Sequence, residues 1–143
     1  MTYSRTVHVN GDFAQTVTAV REALAEQGFG ILTEIDVRTT LKEKLGHEME
    51  NYLILGACNP PLAHQAIEVD RSIGLLLPCN VVVRTDGERI AVQALDPGTM
   101  VTLTGQDALK PVAEEATRRL DDALTALAGG KGEHPARGAI AQE

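Results

Sequence analysis

Two cysteines, each followed by asparagine and each close to a proline, are the residues best suited to chemistry in this chain. They occur in Ala57-Cys58-Asn59-Pro60-Pro61 and in Leu77-Pro78-Cys79-Asn80. A thiolate is both a nucleophile and a ligand for soft metals, so these phrases point to thiol redox, sulfur transfer or metal binding. Cys58 has the stronger case. Asn59 suits a helix N-cap and Pro60 the first helical position, which places the thiol at a helix start. Free backbone N–H groups and the positive end of the helix dipole favour thiolate there. His64 falls in the second turn of that helix, within reach of the sulfur.

Cys79 alternates with Leu75, Leu77, Val81 and Val83, which reads as a core face. A cysteine buried there behaves as a small, inert hydrophobe. Cys58, His64 and Cys79 together would form a soft nitrogen and sulfur set suited to zinc or copper(I). No Cys-x-x-Cys accompanies them, and the spacing is unlike that of zinc folds. Asn59 is explained by capping, whereas Asn80 in mid-strand fits a cross-strand or ligand hydrogen bond better. Glu34 and Asp36 share one strand face as a candidate carboxylate pair, with Lys42 placed to neutralise them. The plainer reading of that pair is the wet side of a half-exposed strand. His8 and His47 stand alone and read as solvated.

Alternation and punctuation place these residues on elements. Tyr3, Arg5, Val7 and Val9 share one face of a first strand. Asn10-Gly11-Asp12 turns and caps a helix striped by Phe13, Val17, Val20 and Leu24, which Gly28 ends. Residues 30–37 form a second strand. Thr40-Leu41-Lys42-Glu43 has the form of a capping box opening a short helix that Gly46 stops. Residues 52–58 make a third strand, followed by the helix that Asn59 starts. Residues 75–84 read as a buried strand with Pro78 at an edge or bulge. Asp86-Gly87 makes a hairpin into residues 90–95, and Asp96-Pro97-Gly98 breaks that strand. Asp107 caps a long last helix striped by Leu109, Val112, Ala116, Leu120, Leu124 and Leu127. The order predicts one α+β domain over residues 1–128, with helices on one face of a mainly antiparallel sheet. A loose tail follows over residues 129–143. Leu76 and Val82 give the other sheet face an apolar character that suits a homodimer.

Composition narrows the function. The chain has 143 residues with 13 basic and 20 acidic side chains, and a formal charge of −7. Nothing in it offers a basic run for phosphates, and aromatic residues at 3% leave little to stack on bases, so nucleic acid is excluded as a partner. No apolar run is long enough to cross a membrane, and no signal-peptide pattern opens the chain, which predicts a cytoplasmic protein. In that compartment the cysteines are expected as free thiols, ligands or reversible redox groups. The glycines at Gly28 and Gly30 precede a strand, which excludes a dinucleotide fingerprint.

Several phrases resemble the domain of unknown function 302 family. They are Gly28-Phe29-Gly30-Ile31-Leu32-Thr33-Glu34-Ile35-Asp36-Val37, Leu41-Lys42-Glu43-Lys44-Leu45-Gly46, residues 54–64 around Cys58, and residues 74–83 around Cys79. The resemblance runs from about Tyr3 to Leu127. It implies a TATA-binding-protein-like β-α-β(n)-α fold, usually dimeric, and implies no activity.

Three functions follow from these residues. The first is a homodimeric module that binds a small ligand or soft metal near Cys58-Asn59, with His64, Cys79, Asn80, Glu34 and Asp36 as further candidates. The second is a thiol redox or sulfur-transfer enzyme with Cys58 attacking and Cys79 resolving. The third is a structural or partner-binding dimer whose cysteines only pack.

Overall fold

The computed structural model describes residues 3–129; the tail predicted after Gly129 lies outside the described residues. Five strands form one antiparallel sheet: β1 (Ser4–Val9), β2 (Gly30–Asp36), β3 (Tyr52–Cys58), β4 (Cys79–Asp86) and β5 (Arg89–Leu95). Their spatial order is β1-β5-β4-β3-β2, so β1 and β2 are the edges. The helices are α1 (Phe13–Glu26), α2 (Val37–Leu45), α3 (Pro60–Val69), α4 (Gly98–Thr104) and α5 (Lys110–Leu127). This is the α+β architecture the sequence predicts.

Local chemistry explains most boundaries. The Asp12 carboxylate accepts from the Gln15 N–H at 2.9 Å and starts α1. Asn59 accepts from the Leu62 N–H at 3.3 Å, with Pro60 next, and starts α3. Gly46, left-handed at φ 68°, ends α2. A one-residue slip between Ile31 and Thr33 leaves a bulge at Leu32 in edge strand β2.

Four expectations need correction. The cap of α2 is Asp36, which accepts from the Thr39 N–H at 2.9 Å, so the helix begins before the Thr40 capping box. The apolar run before Cys79 is not strand. Asp70 caps a 3₁₀ turn over Arg71–Leu76, and a cis Leu77–Pro78 bond leads into β4 at Cys79. Asp107 lies in a 3₁₀ turn over Asp107–Leu109, and α5 starts at Lys110. Helix α4 occupies the stretch read only as a strand break.

Two apolar cores result. The main one lies between the sheet and α1 and α5, built from Val20, Leu24, Leu55, Val83, Leu120 and Leu124 among others. The second packs Ala66 of α3, Ile73 of the 3₁₀ turn, Met100 of α4, and Leu109, Val112 and Ala113 around the start of α5. Leu76 belongs beside this second core and not on the far face of the sheet. Helix α5 spans both, its first turns in one core and its last turns in the other. Their junction falls at the end of the sheet where both cysteines sit.

Candidate functional site

The register of β3 and β4 separates the two Cys-Asn pairs and recombines them. Ala57 lies opposite Cys79, Gly56 opposite Asn80, and Cys58 opposite Gly30 of β2. Side chains alternate across a sheet, so Cys79 shares the helix-covered face with Ala57 and packs against the main core. Cys58 and Asn80 share the parity of Gly56, on the far face. Asn59 is buried in the cap of α3, where its Nδ2 also donates to the Gln27 carbonyl at 3.4 Å. Strand spacing and rise place the two cysteine Cα atoms about 6 Å apart. That is within disulfide range, but Cβ atoms leaving opposite faces cannot be bridged without backbone movement. Both thiols are free.

At the junction of the cores is a cleft with a cavity volume of about 60 Å³. Both cysteines line it, with Phe29, Leu62, Met100 and Val112. Its walls are almost wholly apolar because Asn59, the main polar residue, spends its oxygen and nitrogen on Leu62 and Gln27. The Cys79 thiol donates to the Leu95 carbonyl at 3.8 Å. Burial, reinforced by the nearby Asp96 charge, pushes its pKa from 9.0 up to about 12. Cys79 is therefore a protonated thiol throughout the neutral range.

Asp96 is the residue that joins this cleft to the rest of the fold. It is 2% exposed. One oxygen accepts from the Gly98 N–H at 2.8 Å, fixing the entry to α4. The other meets Arg5 Nη1 at 3.3 Å. Arg5, itself 6% exposed on β1, also grips Asp121 of α5 with Nε at 2.5 Å and Nη2 at 2.7 Å. Burial alone would lower the Arg5 pKa, but the hydrogen bond and charge of Asp121, with those of Asp96, leave it raised. Sequence reasoning missed this triad. Its signal was an arginine at an inward position between Tyr3 and Val7.

The other candidates are held elsewhere. The His64 side chain is 75% exposed and pairs with Glu68 at 3.7 Å, away from the sulfurs. Glu34 pairs with Arg21 of α1, and Asp36 is the α2 cap, so they form no carboxylate pair. Lys42 meets Glu48 at 3.3 Å. His8 is not solvated: its side chain is 5% exposed and bonds Asp86 at 2.9 Å. Among the described residues no three His, Cys, Asp or Glu side chains gather as metal ligands, so the Cys58, His64 and Cys79 set for zinc or copper(I) is not assembled. Nor is any described helix long and apolar enough to cross a membrane.

The far face of the sheet carries a continuous row of Thr6, Gln93, Val82, Ile54 and Ile35. Beside it runs a second row of His8, Ala91, Arg84 and Tyr52. Arg84 donates to Gln93 at 2.9 Å, and Gln93 donates to Thr6 at 3.2 Å, which ties the polar half together. Val82, Ile54 and Ile35 form the apolar half and remain partly exposed.

Comparison with known proteins adds a family. The profile of the domain of unknown function DUF302 matches residues 5–127. The crystal structure of an uncharacterized conserved DUF302 protein from Bacillus stearothermophilus superposes with a TM-score of 0.82 at 28% identity. That match covers 87% of this chain and 98% of the other. No curated protein matches the chain.

Proposed function

The chain belongs to the DUF302 family, whose name states no activity, and we propose that it is a small-ligand binding module with its site in the cleft at the end of the sheet. The observation that carries this reading is a cleft with apolar walls whose main polar side chain is already satisfied by the fold. Such a site rewards a small apolar or thiophilic guest and offers little to a sugar or a phosphate. Xenon is a suitable probe, since dry apolar cavities take it up. Methyl resonances of Leu62, Met100 and Val112 should shift under xenon pressure. Unmoved methyls in a folded sample would sink the reading.

The paired-thiol enzyme has less support. A resolving Cys79 must ionise or be attacked, yet its thiol is held protonated and leaves the opposite face of the sheet from Cys58.

A second reading concerns assembly. We propose that two copies pack through the far face, as a homodimer. A chain of formal charge −7 needs a charge-poor patch to meet itself, and in the two rows above Arg84 is the one permanently charged side chain. Val82, Ile54 and Ile35 supply the apolar half of the contact. Sedimentation should give a dimer at micromolar concentration, and Val82→Glu should give a folded monomer. A wild-type monomer at high micromolar concentration would remove this reading.

A further inference from the structure

We propose that α4 is a lid, which opens the cleft to one uncharged apolar guest about the size of an aromatic ring. The inference rests on the cleft reading and deepens it, naming the guest and its way in. A dry apolar cavity of about 150 Å³ holds benzene. The cleft offers about 60 Å³, so a ring fits only if one wall moves. Among the described residues no charged side chain lines the cleft, and a charge on the guest would be buried unpaired. The walls come from the ends of β3, β4 and β5, the 3₁₀ turn before β4, and helices α3, α4 and α5.

Most of these walls are held firmly. The strand ends are locked in the sheet register, and α3 is capped by Asn59 with Pro60 next. Asp70 caps the 3₁₀ turn, and buried Ile73 anchors it. Helix α5 runs through both cores. Helix α4 is the weak wall. Gly98, Thr99, Val101, Thr102 and Thr104, all poor helix formers, fill five of its seven places. Met100 is its one buried residue, and Leu103 is 65% exposed. Both flanks are pinned, so the segment can lift as a strap. Before it, the Gly98 N–H donates to Asp96 at 2.8 Å, and the Asp96 N–H donates to the Tyr3 carbonyl at 2.8 Å. After it, Gly105 turns the chain at φ 68°, and Gln106 Nε2 donates to Asp70 at 2.7 Å. Between the pins there is little buried apolar contact to resist local opening. Met100, unbranched and flexible, can leave with the helix or repack around a ring.

The test joins native-state hydrogen exchange to benzene titration, both read by NMR. Amides of α4 should exchange through an opening that leaves α3 and α5 protected. Benzene should shift the methyls of Leu62, Met100 and Val112. Thr102 is exposed and outside the cleft lining, so Thr102→Ala and Thr102→Gly should both fold. Glycine in place of alanine should raise the opening constant of the helix about fivefold. Exchange of α4 amides and the benzene association rate should both follow that factor. An α4 that opens only with α3 or with the whole fold overturns the lid, as does benzene entering both variants at one rate. Xenon shifts without benzene binding overturn the lid and keep the cleft. Failure of both probes discards both.

Discussion

Replacing Arg5 with methionine keeps the aliphatic stem and removes the guanidinium that Asp96 and Asp121 share. Asp96 is 2% exposed, so it cannot turn to water to replace the guanidinium it loses, while its bond from the Gly98 N–H stays. Asp121, with its side chain 18% exposed, can recover solvation. Breaking a buried ion pair from one side costs about 3–5 kcal/mol. Because one of the two carboxylates can relax, we expect the lower end, about 3 kcal/mol. For a chain of this length that corresponds to a melting point lower by roughly 6–12 °C. Urea unfolding followed by circular dichroism at pH 7 measures it directly. Acid should narrow the gap between variant and wild type, because protonating the buried Asp96 removes a charge that the guanidinium no longer offsets. Arg5→Met with Asp96→Asn should recover part of the loss. A cost below about 1 kcal/mol, the range of exposed ion pairs, would refute the reasoning.

Two further outcomes follow from the site. Iodoacetamide at pH 8 should label Cys58 in the native protein and spare Cys79, whose shift from 9.0 to about 12 lowers its thiolate fraction roughly a thousandfold. Comparable labelling of both thiols by mass spectrometry would contradict the burial argument. Since that folded pKa is raised, its contribution to stability is complete below the ordinary thiol pKa and is lost as pH climbs toward 12. Cys79→Ala should flatten that alkaline decline. Gly56→Ala would set a Cβ hard against Thr33 Oγ1 and 2.9 Å from Pro78 Cγ. A cost of about 1–3 kcal/mol by thermal unfolding is expected, with partial recovery on adding Thr33→Ala.

What the sequence revealed depended on whether the deciding contacts were local. Asp12, Asn59 with Pro60, and Gly46 act on backbone groups within a few residues, and each boundary they mark is found in the structure. The run before Cys79 is apolar on every face, which periodicity cannot assign. Its 3₁₀ turn is set by Asp70 and by packing of Ile73 into the second core. Helix α4 is rich in β-branched Thr99, Val101, Thr102 and Thr104, poor helix formers. It exists because Asp96 holds its entry and Met100 packs beneath it. Cys58 and Cys79 were identifiable as the residues of interest. Their separation onto opposite faces, the arrival of Met100 in the cleft they line, and that of Asp96 near Cys79, depend on strand register and on contacts far apart in the chain.

The bulge at Leu32 has a consequence for how copies of this domain can associate. A flat edge strand lets another chain add its backbone in register, and a sheet that accepts one strand accepts the next, so growth has no end point. In β2 the extra residue breaks the repeat of free N–H and C=O groups part-way along, with the charges of Glu34 and Asp36 beyond it. That edge is a poor template. Association through the broad face is different in kind, because a face used once by each copy is consumed and the assembly is closed at two.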